Sequence, residues 1–157
     1  VTAGIRITWT LGAHGWADCV VEDHQAKAEL SASYISNAPE EFLTAVARLV
    51  AGEMETRAQF EAEPTAYRWI FYREAAAATV RIRLLELRRG SDHDDKGTAI
   101  WSSRLPIDAL ARAVVRCFDE VVQIYGESGY RGKWGEHFPR TELEALRRVW
   151  RARRRPQ

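Results

Sequence analysis

Ile5-Arg6-Ile7-Thr8-Trp9-Thr10-Leu11, the glycine-bounded run Gly12 to Gly15, and Trp16-Ala17-Asp18-Cys19-Val20-Val21-Glu22 together decide the fold. Ile5, Ile7 and Trp9 alternate with Arg6, Thr8 and Thr10, the period of two that puts one side of a strand in a core and the other in water. The glycines punctuate a turn, after which Ala17, Cys19 and Val21 take up the alternation again, so a hairpin is expected. A second turn at 23–26 leads into Ala28 to Ile35, where Leu30 and Tyr34 are apolar and Ser31 and Ser33 small and polar. Three antiparallel strands in a meander account for this region.

Outward from there the period changes. Asn37 followed by Glu40 reads as a capping-box-like helix start, Pro39 sits where a missing N–H is tolerated, and Gly52 supplies a stop. Phe42, Leu43, Val46, Leu49 and Val50 share one helical face. The alternation then returns in Arg57 to Glu63 up to Pro64, in Tyr67 to Arg73, and in Thr79 to Leu87, where the change of phase at Leu84-Leu85 predicts a bulge. After a polar loop from Arg89 to Gly97, Thr98 to Arg104 predicts a last strand. Pro106 opens a long amphipathic helix running to Tyr125, with Gly126 as the residue expected to end it. Gly126 to Pro139 reads as a loop pinned to the core by Tyr130, Trp134 and Phe138, and Thr141-Glu142-Leu143-Glu144 as the capping box of a final helix. The order βββ-α-ββββ-α-α predicts an α+β fold: one antiparallel sheet of six to seven strands with helices packed mainly on one face.

A chain of 157 residues, 46% hydrophobic and 29% charged, fits a single globular domain spanning 1–157 with its own core. No run reaches the roughly 18 apolar residues that a membrane helix needs, and Val1 to Leu11 lacks the pattern of a signal peptide, so a cytoplasmic location is expected. Cys19 and Cys117 lack metal-ligand or CxxC spacing and read as small buried hydrophobes, with a disulfide between them left open. The net charge of +1 is uneven: seven arginines and two glutamates from Arg140 onward give that end +5 and the rest −4.

Several constellations carry groups that could do chemistry. Asp92-His93-Asp94-Asp95-Lys96-Gly97 begins like a calcium loop, but Lys96 falls on a ligand position and Ser103 on the closing glutamate's, so a solvated loop is the better reading. Glu61 and Glu63 point the same way on one strand as paired acids would, yet Arg81 and Arg83 on a neighbouring strand offer them a structural pairing. His14, His24, His93 and His137 show no ligand spacing and read as surface residues. GxSxG, Walker and GxGxxG patterns are missing, and neither a cofactor nor a metal is expected. The helix end at 147–157 carries Arg147, Arg148, Arg151, Arg153, Arg154 and Arg155 beside Trp150, which would suit phosphates or simply the C-terminal end of a helix dipole.

Three motifs have counterparts elsewhere. Ser33-Tyr34-Ile35-Ser36-Asn37-Ala38 is similar to a Ser-x-Leu-Ser-Asp-Ala lead-in, and Glu63-Pro64 with Tyr67-Arg68-Trp69 to a Glu-Pro-x-x-x-Arg-Trp strand pair. Tyr125-Gly126, Gly129-Tyr130, Trp134 and Phe138-Pro139, followed by Leu143 and Leu146, look like a C-terminal signature. On these residues the chain resembles a family of small actinobacterial-type proteins, mostly of unknown function, some of them like immunity proteins of polymorphic toxin systems. Asn37 stands where that family more often has aspartate. The resemblance implies an α+β fold and carries no catalytic residues with it. The expected function is therefore a non-enzymatic protein-interaction module, immunity-like, that neutralises a toxin or binds another protein. Trp16, Glu61, Glu63, Arg81 and Arg83 are its candidate partner-binding residues, on the sheet face away from the helices. The alternative is an accessory nucleic-acid binder acting through the arginine-rich end.

Overall fold

The computed structural model describes residues 4–74 and 78–154. Strands β1 (Arg6–Leu11), β2 (Trp16–Glu22) and β3 (Lys27–Ser33) precede helix α1 (Ala38–Ala51). Strands β4 (Glu55–Glu61), β5 (Ala66–Arg73), β6 (Thr79–Leu87) and β7 (Thr98–Pro106) follow, then helices α2 (Ile107–Trp134) and α3 (Arg140–Arg154). The element order is the one expected, but the single sheet is not. The strands form two antiparallel sheets, β1-β2-β3 and β4-β5-β6-β7.

The division has a visible cause. β3 runs from the middle of β7 to the end of β4 instead of pairing with β4. Ala26, just before β3, accepts a bond from Trp101 Nε1 on β7 at 3.2 Å, and Ser36, just after it, accepts one from the Glu61 amide at the end of β4 at 3.3 Å. In the turn before Ala26, Asp23 accepts from Ser103 Oγ at 2.7 Å. These are side-chain and loop bonds, so the two sheets join without a shared ladder.

Both inner faces are apolar and share one core. Ile7, Trp9, Leu11, Cys19 and Val21 of the first sheet and Phe60, Trp69, Phe71, Ile82 and Leu84 of the second are buried in it under the helices. α1 lies on the second sheet, where Thr56 Oγ1 donates to the Ala45 carbonyl at 2.9 Å, and the Arg73 guanidinium donates to the carbonyls of Leu49 and Val50 at the C-terminal end of α1. The Val50 carbonyl is one the helix end leaves without an intrahelical partner, and that of Leu49 is shared with the Gly52 amide at 3.1 Å. Trp69 stacks on Phe71 at 6.0 Å, and Trp9 meets Phe60 edge-on at 5.6 Å. Cys19 and Cys117 are buried free thiols, and burial pushes the Cys19 pKa up to about 12.

Three local expectations need correction. Gly126 does break the helix, at φ 68° and ψ 165°, but helical geometry resumes beyond it and runs to Trp134, ending at the left-handed Gly135. The glycine-aromatic stretch is thus mostly helix, held by packing that outweighs its glycines: Trp134 lies 5.7 Å from Trp9 and Tyr130 5.3 Å from Phe138. Asn37 is the N-cap residue of α1 yet makes no side-chain capping bond. α3 begins at Arg140, so Thr141 lies inside its first turn rather than capping it, and Glu144 bonds Arg140 and Arg147 instead.

Candidate functional site

The five candidate partner-binding residues do not form one cluster. Trp16 opens β2 on the outer face of the three-stranded sheet, 41% exposed. Glu61 ends β4, where its carboxylate accepts from Gln59 Nε2 at 2.8 Å, and Glu63 lies in the following turn with φ 43°. Arg81 and Arg83 stand on β6 with Tyr72 and Ile70 as their register partners on β5, whereas Glu61 is opposite Ala66. The expected pairing of Glu61 and Glu63 with Arg81 and Arg83 is therefore absent among the described residues; their rows lie too far apart along the sheet.

What the outer face of the four-stranded sheet does hold is a strap. The loop after β6 folds back over it and includes a 3₁₀ turn at Asp94–Lys96. The Asp94 carboxylate receives Arg57 Nη1 at 3.0 Å and Arg68 Nη1 at 2.9 Å on one oxygen, and Arg57 Nη2 at 2.9 Å on the other. Arg68 also donates to the carbonyls of Asp92 (2.8 Å) and Gly90 (3.0 Å), and Gln59 Nε2 donates to Gly90 O at 3.0 Å. These bonds, that from Arg57 first, hold the Asp94 carboxyl below its usual range. The register shift at Leu84/Leu85 falls at the position of the predicted bulge, but its extra residue is Ile100 on β7; β6 keeps its period of two, which sets Leu85 and Leu87 on the same outer face as Arg81 and Arg83. The strap is what buries the two leucines: a Cβ added at Gly97 would lie 2.9 Å from Leu87 Cδ2 and 3.1 Å from Leu85 Cβ. The loop is thus a bonded cover rather than a solvated hairpin, and no group of three or more potential metal ligands is found among the described residues.

At the far end of the three-stranded sheet, exposed apolar side chains gather. Tyr34 (48% exposed) and Ile35 (63%) follow β3 directly, and the Tyr34 amide donates to Gly15 O at 2.8 Å, next to the pairing of Trp16 with Ser33. Gly15 N donates to Lys133 O at 3.0 Å, tying this corner to the end of α2 around a shallow hollow lined by His14, Gly15, Tyr34, Lys133 and Gly135. Gly15 is required there, because at φ 79° an added Cβ would strike the Tyr34 ring at 2.4 Å. Reading Tyr34 as one more apolar residue of a strand missed this corner. The available signal was two adjacent apolar residues, Tyr34-Ile35, which alternation cannot bury together.

The arginine-rich helix end divides in two. Arg147 grips Asp119 on α2 at 2.6 and 3.1 Å and Glu144 at 3.1 Å, while Arg154 lies 3.6 Å from Asp108 and stacks over Trp150, whose Nε1 donates to Asp108 at 2.8 Å. Arg148, Arg151 and Arg153 are exposed and form no ion pair among the described residues. Arg155 lies outside the described residues. All four histidines are exposed, as expected, and among the described residues no helix is long and apolar enough to cross a membrane.

The geometry defines an α+β protein with two exposed faces of different character, one apolar and one rich in arginine. No family model matches the sequence, so the motif resemblance to actinobacterial-type proteins is not supported by one. No curated protein matches either. Among solved structures, a chain of the CdiA-CT/CdiI toxin and immunity complex from Enterobacter cloacae is a distant match: 10% identical, with a TM-score of 0.48 over 75% of this chain and 99% of that one.

Proposed function

We propose that this protein is a non-enzymatic protein-interaction module that contacts its partner at the Trp16 corner. One observation carries the reading. Of the five large apolar side chains exposed among the described residues, Trp16, Tyr34 and Ile35 wrap the same end of one sheet, whereas Met54 and Ile124 stand apart. Aromatic residues that can be desolvated beside a glycine-floored hollow are the usual anchors of a protein interface. An immunity-like role, with a toxin as the partner, is the particular form of this reading that the sequence motifs favour.

The test is co-expression of the tagged chain with the product of the adjacent reading frame, in parallel with a Trp16→Ala/Tyr34→Ala/Ile35→Ser variant. The reading expects a complex with the parent that the variant loses while keeping its melting temperature within a few degrees. Equal recovery of the partner on both proteins would remove this corner from the interface.

A second reading, nucleic-acid binding, rests on the exposed Arg148, Arg151 and Arg153. It predicts low-salt binding of a mixed oligonucleotide that Arg148→Glu/Arg151→Glu abolishes. No binding by the intact chain would end it.

A further inference from the structure

Five arginines share the outer face of the four-stranded sheet, and three of them already hold carboxylates. Arg57 and Arg68 hold Asp94, and Arg104 holds Glu74 through two bonds of 2.6 Å. Arg81 and Arg83 stand between these sites and form no ion pair among the described residues. Strand register sets Arg81 between Tyr72 and Arg104, and Arg83 beside Ile70 with Arg57 on its far side. Like charges directly across a ladder are unfavourable, so setting Arg81 opposite Arg104 works against the fold that contains it. Ile70 is fully buried and Tyr72 half-buried, which gives the two guanidinium groups an apolar border on one side.

We infer that Arg81 and Arg83 form a docking surface for an acidic segment of a partner protein, taking its aspartate or glutamate carboxylates. The inference rests on the protein-interaction reading above and adds a second contact to it. A guanidinium pairs a carboxylate through two parallel N–H bonds, and Arg57 and Arg104 of this face do so within the chain. The surroundings favour short acidic side chains over a nucleic-acid backbone. Glu74 and Asp94 flank the pair on both sides, so a long polyanion tracking across the face would run into carboxylates, while a segment carrying two or three acids would not. Arginine and tyrosine are also the side chains that most often dominate protein interfaces.

The test uses the full chain, isotopically labelled, titrated with the peptide acetyl-Gly-Glu-Asp-Tyr-Glu-Asp-Gly-amide, a control in which lysine replaces every acid, and a short oligothymidylate. The acidic peptide should shift the amides of Tyr72, Arg81, Arg83 and Ser102 and bind at least tenfold more tightly than the lysine control. Arg81→Glu/Arg83→Glu should abolish those shifts with an unchanged melting temperature, and Arg81→Lys/Arg83→Lys, which keeps the charge but loses the fork, should weaken binding severalfold. Acidic-peptide binding that survives the double glutamate variant would overturn the assignment. So would oligothymidylate binding more tightly than the peptide at the same residues, which would make the surface a phosphate site. Loss of a partner through the Trp16 corner alone, with no dependence on Arg81 and Arg83, would remove this inference and leave the interaction reading standing.

Discussion

The two sheets present opposite kinds of outer face. On the three-stranded sheet that face carries exposed Thr10, Asp18 and Glu29 and half-buried Ser31 around an open cleft that Tyr67 of β5 borders, and among the described residues no loop is strapped over it. On the four-stranded sheet a loop is strapped down by Arg57, Arg68 and Gln59 and buries Leu85 and Leu87 as completely as core residues. The difference shows why one face needs a charge network and the other does not. A strand that carries two leucines on its outward face requires a cover, and a polar loop stays down as a cover only when its carbonyls and its aspartate find donors.

The most forceful way to break this contrast is to cut the apolar floor beneath the strap. Leu87→Ala should cost about 2–5 kcal/mol, the range for a fully buried leucine. Val20→Ala on the open face should cost about 1 kcal/mol or less. Urea unfolding of the two variants measures both, and equal costs would show that the strap is not a true cover. Removing its anchor comes next. Asp94→Asn should lose about 1–3 kcal/mol, because the half-buried Arg68 keeps its carbonyl partners but loses the carboxylate. Asp18→Asn should stay within about 0.5 kcal/mol.

Gly97→Ala sharpens the same contrast without touching a charge. Its Cβ must displace Leu87 or Leu85, so a loss of about 1–2 kcal/mol is expected, with faster hydrogen exchange confined to 88–97. The smallest effect concerns pH. Asp94 has its pKa lowered in the folded state, chiefly by its bond from Arg57. Its contribution is complete above the ordinary aspartate value of about 3.9 and is lost as the pH falls through the lower folded value. The parent should therefore lose its advantage over Asp94→Asn on acidification below about pH 4, and a gap that stayed constant to pH 2 would contradict the network.

Much of this fold was legible in local pattern. The seven strands and the three helices follow from periods of two and 3.6. The adjacent Leu84-Leu85 pair marked where the register shifts, but β6 keeps its alternation, the extra residue is Ile100 on β7, and both leucines are buried because both faces of β6 are covered. The split into two sheets was not legible, because α1 intervenes between β3 and β4 and nothing local says whether they pair across it. Helix beyond Gly126 was hidden by glycines at 129 and 132, whose low propensity is overridden by burial of Tyr130 and Trp134. Of the candidate sites, Trp16, Arg81 and Arg83 were placed on outer faces by alternation alone. The partners of the remaining arginines were not: Arg57 meets Asp94 across 37 residues and Arg147 meets Asp119 across 28, and charge pairing at such separations leaves no periodic trace.

Hydrogen exchange of the full chain, free and in its complex with the co-expressed partner, tests the central claim most directly. A protein-interaction module of the kind described predicts slowed exchange at 15–17 and 33–35, and at 81–83 if the acidic-segment surface is engaged, with the amides of α3 unchanged. A complex that leaves 15–17 and 33–35 at their free rates would contradict it.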